Sequence, residues 1–266
     1  MTTKKYWILT LTIAIMSLAL IPAFCEENDA ADNVTRIDLL ANIDPEQPAA
    51  EVTEIGDFKI FDFTNPSKNV ISYDNETKEL KVSANYERGA VHQLPDGLFK
   101  QDDETQTEYW EYSMMIRMTA PTDDEWARLI NSGVQFLDGE RLLAQFKVLY
   151  WNQRQDNGVM LSIFNGDQVN EKYLLGKFSN DIYPDKPADE HFEDMMRVYE
   201  WMTTKVKLSF KITADGNVTI NYGNDTLTGK IDGFDIGNSA PALKILGIGD
   251  AGQNVTYISN LIFSYE

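Results

Sequence analysis

The side chains of this chain that best fit ligand recognition lie on the polar sides of three alternating segments, residues 108–118, 129–137 and 141–151. Their amide and guanidinium groups donate and accept hydrogen bonds in planar pairs, which suits sugar hydroxyls and carboxylates. An indole ring adds a flat apolar platform for a sugar ring. The predicted ligand-binding residues are Glu111, Arg117, Asn131, Gln135, Arg141, Gln145, Lys147 and Trp151, with Trp126 as a further candidate at the rim.

These residues share a surface only if their segments are neighbouring strands of one sheet, and we expect this arrangement. Apolar and polar residues alternate along residues 108–118 with the period of two that indicates a half-buried strand. A three-residue loop at 138–140 keeps the apolar residues of the other two segments on one face and leaves Gln135 and Gln145 on the opposite face. The alternative is a solvated sheet face that binds nothing, with the tryptophans half in the core.

The clearest structural signal lies in residues 205–222, where two alternating runs flank a loop at 214–216. A three-residue loop that ends in glycine pairs Phe210 with Ile220, so every apolar residue of this hairpin lies on one face. The turn Asn165-Gly166 indicates another hairpin. Roughly eleven to thirteen such strands with closely spaced turns predict an all-β fold, a two-sheet antiparallel jelly-roll sandwich.

One or two short helices are expected beside the strands. Residues 35–38 have the pattern of a capping box in front of apolar residues. Residues 189–202 repeat apolar side chains at helical spacing. The position of the helix at 189–202 determines whether a ligand can reach the binding face. It either covers the sheet that carries Gln135 and Gln145 or leaves that sheet open.

Charge and cysteine content exclude several kinds of partner. The 266 residues carry a formal net charge of −19, which repels nucleic acid and anionic membranes. With Cys25 as the single cysteine, no disulfide forms within the chain. His92, in a predicted loop, and His191 lack the spacing of metal ligands and are expected at the surface. The many carboxylates indicate solubility, with calcium coordination as the alternative.

The beginning of the chain has the pattern of an export signal, with a positive start, an apolar run and a small-x-small site that ends at Cys25. We therefore expect a secreted or periplasmic protein. An uncleaved membrane anchor and lipidation at Cys25 are the alternatives. The predicted organisation is a signal peptide at residues 1–25, a disordered acidic leader at 26–35 and one folded domain at 36–266.

The end of the chain resembles a known superfamily. The segments are residues 201–223 (WMTTKVKLSFKITADGNVTINYG), 243–252 (LKILGIGDAG) and 255–266 (VTYISNLIFSYE). In this order they resemble the closing strands of the concanavalin A-like lectin/glucanase superfamily, including its laminin-G-like domains. Residues 36–45 (RIDLLANIDP) also resemble the opening of bacterial secreted domains of that superfamily. The resemblance implies a jelly roll of two curved sheets that binds sugars on its concave face or at its loop rim.

The resemblance also implies which family sites are incomplete here. Laminarinase-type members carry an E-x-D-x-x-E string, which this sequence lacks. Calcium-binding members place an aspartate near the position of Ser259, so the serine puts that site in doubt and leaves Asp62 as the one candidate metal ligand. Alginate-lyase-type members use Arg, Gln, His and Tyr, and Arg117 and Gln135 are similar to the first two, but Leu137 stands where the His is expected.

These observations favour a secreted, non-catalytic carbohydrate-binding module whose partner is a glycan, with no nucleic-acid or membrane partner beyond the signal segment. No cofactor is established by the sequence, and calcium is the one that it leaves open. A carbohydrate-active enzyme, either a polysaccharide lyase or a glycoside hydrolase on the same jelly roll, is the first alternative. A purely structural extracellular module is the second.

Overall fold

Sixteen β-strands make up most of the part of the chain that the structure describes. The structure is a computed structural model, and it describes residues 34–44, 54–60, 70–83, 89–94, 98–99, 107–119, 129–151, 157–178, 197–198, 200–249 and 255–266. In chain order the strands are β1 (Thr35–Asp38), β2 (Glu54–Ile55), β3 (Phe58–Ile60), β4 (Val70–Asp74), β5 (Glu79–Ser83), β6 (Gly89–Gln93), β7 (Tyr109–Thr119), β8 (Leu129–Asp138), β9 (Arg141–Trp151), β10 (Asn157–Asn165), β11 (Gln168–Phe178), β12 (Val206–Thr213), β13 (Asn217–Tyr222), β14 (Asp225–Lys230), β15 (Pro241–Gly249) and β16 (Val255–Tyr265).

The strands form two antiparallel eight-stranded sheets, which confirms the predicted all-β jelly-roll sandwich. Sheet A has the order β14-β13-β12-β7-β16-β5-β4, and β1 also pairs with β16. Sheet B has the order β11-β10-β9-β8-β15-β6-β3-β2. The predicted signal peptide with Cys25 and residues 26–33 of the predicted leader lie outside the described residues, as do Asp62, Trp126 and His191. Strand β1 begins at Thr35, the last residue of the predicted leader.

The core lies between the two sheets and follows the predicted alternation. On β7 the side chains are alternately buried and half-buried, and Trp110, Tyr112, Met114, Ile116 and Met118 face inward. Phe136 of sheet B stacks on Phe210 of sheet A with ring centroids 4.7 Å apart. The apolar face of each sheet is therefore buried against that of the other, which is what holds a sandwich together.

The hairpin β12–β13 confirms its predicted register, since Phe210 pairs with Ile220. The loop turns at Gly216, whose φ of +80° is one that glycine adopts without steric cost. Asp215 fixes this turn by accepting a hydrogen bond from the Thr213 hydroxyl at 2.5 Å. The turn chemistry and the hydrophobic pattern thus specify the same pairing.

The hairpin β8–β9 keeps Gln135 and Gln145 on one face, as predicted, but reaches this arrangement in a different way. The expected three-residue loop is a two-residue turn, because Asp138 pairs with Arg141. A register shift between Phe136 and Leu137 adds one unpaired residue to β9, Leu143. A turn one residue shorter and a bulge of one extra residue cancel in parity, so Gln135 and Gln145 still share a face. Arg141 lies between the bulge and the turn and pairs with Asp138, so it is turned to the other face, which corrects its predicted position.

The predicted helix that opens with a capping box at residues 35–38 is wrong, because these four residues form β1 and pair with β16. Asp38 accepts a hydrogen bond from the backbone N–H of Leu40 at 2.9 Å, and this fixes a turn instead of the first turn of a helix. The pattern of a capping box is local, whereas pairing of Ile37 opposite Phe263 buries the strand against the sandwich. Tertiary pairing therefore overrides the local signal.

The predicted helix at 189–202 lies partly in the described chain, where residues 197–198 and 200–203 are helical. Val198 and Met202 are buried in the core cluster. Trp201 stacks on Tyr222, with ring centroids 4.8 Å apart. The described part of this helix therefore packs into the core. No helix among the described residues has the length and apolar content needed to cross a membrane.

The backbones of the two sheets come close together where β15 passes β5. A Cβ atom placed on Gly247 would lie 2.0 Å from the carbonyl oxygen of Val82. We expect Gly247→Ala to destabilise the fold by about 1–3 kcal/mol, because neither backbone can move without separating the sheets. Urea denaturation measures this difference. The matched control is Gly237→Ala, whose Cβ would meet nothing nearer than Asp235 at 3.5 Å; equal losses in the two variants would contradict this reasoning.

Candidate functional site

The predicted binding residues lie on two sheets, so the expectation of one shared sheet is wrong. Glu111 and Arg117 are on β7 of sheet A, next to β12 and β16. The remaining six are on β8 and β9 of sheet B: Asn131, Gln135, Arg141, Gln145, Lys147 and Trp151. Alternation within a strand specifies which face a side chain takes. It does not specify which strand becomes the neighbour, and the chain changes sheets between β7 and β8.

A row of hydrogen-bonded side chains crosses three adjacent strands of sheet B. Gln135 of β8 donates from Nε2 to Oε1 of Gln145 on β9 at 3.3 Å, and Gln145 donates from Nε2 to Oγ of Ser162 on β10 at 3.5 Å. We call Gln135, Gln145 and Ser162 the amide row. It lies on the face opposite the core, because the neighbours Val134 and Phe136 are buried between the sheets. Sequence reasoning missed Ser162, although the alternation of β10 places it on this face.

Charged residues extend the amide row at both ends. Lys244 of β15 pairs with Gln135, and Glu171 of β11 pairs with Ser162. Polar side chains thus stand side by side on five neighbouring strands. With about 4.8 Å between strands, the distance across them is roughly 19 Å. Neither Lys244 nor Glu171 was predicted, and the strand order that brings them here has no local signal in the sequence.

The inner members of the amide row are enclosed. Gln145 is 8% exposed and Ser162 is fully buried, while Gln135 is half-buried. Apolar side chains on the same sheet are also buried but lie outside the main core cluster: Leu149, Met160, Ala242 and Leu246. The face is therefore neither an open, solvated surface nor a purely apolar one.

Asn131 lies on the same face as the amide row, four residues before Gln135 on β8. Its Oδ1 is buried and has no hydrogen-bond partner among the described residues. A buried acceptor without a donor costs about 1–3 kcal/mol. An incoming hydroxyl or N–H group would remove this cost.

Of the other predicted residues, Lys147 lies on this face, whereas Arg141, which pairs with Asp138 beyond the bulge, lies on the opposite one. Lys147 is half-buried on β9. Arg141 is exposed at the β8–β9 turn opposite Asp138, whose carboxylate accepts a hydrogen bond from the backbone N–H of Ala240 at 2.7 Å. Trp151 ends β9, and its side chain lies outside the described part of the structure.

Arg117 belongs to a separate cluster on sheet A. It donates from Nε to Oε1 of Glu79 at 3.1 Å, and its guanidinium stacks on the ring of Tyr257 at 3.8 Å. Lys205 also pairs with Oε1 of Glu79 at 3.0 Å. We call these four residues the Glu79 clasp. Because Glu79 lies on β5 and Arg117 on β7, the clasp bridges β16, which runs between them.

Two carboxylates on sheet A are shifted in opposite directions. Burial raises the pKa of Glu79, but hydrogen bonds from Arg117 and Lys205 outweigh burial and hold that pKa below its usual range. Burial raises the pKa of Glu111, and the charges of Lys211 and Lys207 offset this only in part. Glu79 is therefore stabilised as an anion by the fold, whereas ionised Glu111 is penalised.

The prediction that His92 is a surface residue in a loop is wrong. It lies in β6, is 3% exposed and packs on Phe58 with ring centroids 4.9 Å apart. Burial lowers the pKa of His92, so the neutral imidazole packs as an aromatic side chain.

In the ranges that the structure describes, no three histidine, cysteine, aspartate or glutamate side chains come together as metal ligands. Ser259 is buried beside Asn260, which has a φ of +51° at the β16 bulge.

Comparison with known proteins gives fold-level likenesses only. No protein-family model and no curated protein matches the chain. Similar solved structures include a sialidase (9% identity, TM-score 0.44, covering 78% of this chain and 17% of the sialidase). Another is the CBM2 module of the evolved Dit protein of Lactobacillus casei BL23 phage J-1 (9% identity, TM-score 0.44, 73% and 78% covered).

A third similar structure is the binding domain of botulinum neurotoxin DC in complex with rat synaptotagmin II (8% identity, TM-score 0.41, covering 77% of this chain and 42% of that chain). This chain therefore spans less than half of the toxin domain and about a sixth of the sialidase. Since each of these TM-scores is below 0.5, the functional argument rests on the side chains described above.

Opposite pKa shifts predict opposite effects of two matched substitutions. Glu79→Gln should destabilise the protein by about 1–3 kcal/mol at pH 7, because Arg117 and Lys205 lose their carboxylate. A lowered pKa contributes stability above the unfolded value of about 4.3 and loses it as pH falls through the folded value, so this difference should shrink in acid. Urea denaturation between about pH 3 and 7 measures it.

Glu111→Gln is the comparison on the same sheet. A raised pKa contributes stability at low pH that is lost as pH rises, so the neutral amide should leave the protein at least as stable as the wild type at pH 7. A loss as large as that of Glu79→Gln would show that Glu111 is held as a paired anion and would contradict this assignment.

Proposed function

We propose that this chain is a secreted, non-catalytic module that binds a carbohydrate through the face of sheet B that carries the amide row. The observation that carries the proposal is the hydrogen-bonded chain from Gln135 through Gln145 to Ser162 across three strands. Such a chain fixes the orientation of amide groups before a ligand arrives. Less conformational freedom is then lost on binding.

The members of this face have different roles in the proposal. Ser162 and Gln145 are too enclosed to contact a ligand directly, so they position Gln135. Gln135 and Asn131 are half-buried and stand on the same strand. We assign the ligand contacts to these two. Asn131 Oδ1 lacks a donor, and because this atom is buried in the free protein, binding requires the Asn131 side chain to turn toward the ligand. Leu149 and Leu246 on the same face are buried as well, so they enclose the amide groups and do not contact the ligand themselves.

The placement of Glu111 and Arg117 favours binding without cleavage. A glycoside hydrolase uses two carboxylates about 5–10 Å apart across the scissile bond. Glu111, the carboxylate predicted for this face, is on the other sheet. The lyase alternative needs Arg117 beside Gln135, and these two are likewise on different sheets. The residues predicted for the glycoside hydrolase and for the polysaccharide lyase are therefore not gathered on one surface.

Binding is tested with a glycan array followed by titration of whichever glycan is retained, with and without calcium. We expect Asn131→Ala to weaken binding by about 5–30-fold, the value of one or two hydrogen bonds. The same substitution should leave the free protein as stable as the wild type or more stable, because it removes an unpaired buried acceptor. Loss of binding together with loss of stability would indicate a merely structural asparagine.

A control on sheet A separates this face from any other polar face. Asn221 donates to Ser209 at 3.2 Å and accepts from Thr226 at 2.7 Å, which makes a similar row on sheet A. Asn221→Ala should leave affinity unchanged. If the wild type retains no glycan at micromolar concentration, the binding function is overturned and the enclosed amide row is a structural element.

Export is the part of the proposal that depends on the beginning of the chain. The charge pattern and apolar run that end at Cys25 motivate it. Expression with the native leader, followed by intact-mass measurement, should give a mature chain that begins at Glu26. A mass that retains residues 1–25, or that carries lipid on Cys25, would replace the secreted protein with an anchored one.

A further inference from the structure

Two side chains of sheet B donate hydrogen bonds to backbone carbonyl groups of the end strand of sheet A. β14 is the end strand of sheet A, and β11 is the end strand of sheet B. Asn170 of β11 donates from Nδ2 to the carbonyl oxygen of Thr228 at 3.0 Å, and Lys172 donates from Nζ to the carbonyl oxygen of Thr226 at 3.3 Å. The edges of the two sheets therefore meet along one side of the sandwich.

The two carbonyl groups that β11 contacts are those that point away from sheet A. Tyr222 pairs with Asp225 across a two-residue turn, so Asp225 and then Leu227 exchange backbone hydrogen bonds with β13. The residues between and after them, Thr226 and Thr228, direct their backbone groups to the free side. These outward groups are the ones that an additional strand would use.

Other contacts join the same edges of the two sheets. Lys172 pairs with the carboxylate of Asp225 at 3.0 Å. Asn165 donates from Nδ2 to Oδ2 of Asp232 at 2.9 Å. A Cβ atom on Gly229 would lie 3.2 Å from Ile163 of β10, so a larger residue there would push β14 away from sheet B. These contacts keep Asn170 and Lys172 within reach of the edge.

We propose that Asn170 and Lys172 guard the edge of β14 against pairing with β14 of a second copy of this chain. An unguarded edge strand is a template for another strand. Two copies of β14 related by a two-fold axis would pair antiparallel, since the same surface serves on both sides of such an interface. Asn170 and Lys172 already donate to the outward carbonyl groups of Thr228 and Thr226, so the N–H groups of a second strand would find these acceptors taken.

The test is the mass of the full chain in solution as a function of protein concentration, measured by light scattering. We expect Asn170→Ala/Lys172→Ala to approach twice the mass of the monomer as concentration rises, while the wild type stays at the monomer mass. Val169→Ser is the matched control, because Val169 lies on the opposite side of the same strand and is 47% exposed. It should remain monomeric.

A third substitution locates the surface. Thr228→Pro removes an outward N–H and costs β14 no bond to β13, so it should return the double variant to a monomer. If the double variant stays monomeric, Asn170 and Lys172 do not protect the edge and the proposal is overturned. If the dimer persists with Thr228→Pro, the dimer does not form through β14 and the assignment to this strand is overturned. If the double variant does not fold, Asn170→Ala and Lys172→Ala are measured separately, and monomeric behaviour of both overturns the proposal.

Discussion

The burial of aromatic side chains between the sheets is the constraint on which the rest of this structure depends. Phe136 stacks on Phe210 with an interplanar angle of 10°, and Tyr112 packs on Phe263 with centroids 4.9 Å apart. Since side chains alternate along a strand, placing Phe136 in the core sends Gln135 to the opposite face. The core therefore determines where the amide row stands, and a change of parity in β8 would move the polar side chains into the core.

The sequence was sufficient for those features that follow from parity and local turn chemistry. It predicted the sandwich, the register of β12–β13 and the common face of Gln135 and Gln145. It could not predict which strands become neighbours, because that depends on where the chain crosses between sheets. Glu111 and Arg117 were assigned to the wrong surface for this reason. Ser162 could have been found from alternation alone, whereas Lys244 and Glu171 required the strand order.

The errors in local prediction share a physical cause. Residues 35–38 carry a pattern that is compatible with a helix, but an unoccupied stretch of β16 gains hydrogen bonds and apolar contact when β1 pairs with it. His92 was predicted at the surface from its polarity, yet its imidazole packs against Phe58 in the core, although its Nδ1 has no hydrogen-bond partner among the described residues. In both positions tertiary packing contributes more than local preference.

The polar groups named above on the outer face of sheet A are paired with one another, apart from the buried Oγ of Ser259, and this pairing favours placing the ligand on sheet B. On sheet A, Glu79 holds both Arg117 and Lys205, and Asn221 bonds to Ser209 and Thr226. A ligand there would have to break existing pairs to make new ones, so little net affinity would result. On sheet B the row of Gln135, Gln145 and Ser162 is complete internally, but Asn131 beside it is not.

An acceptor that remains unpaired costs stability in the free protein and returns that free energy when a donor arrives. Gln135 does not satisfy Asn131 itself, because the two residues are four apart on β8, which separates their Cα atoms by roughly 13 Å. Burial of the site also favours binding, because a hydrogen bond made away from water is stronger than one made at a solvated surface. A partly buried polar row next to one unsatisfied amide is therefore better suited to selective binding than a fully exposed or fully paired face.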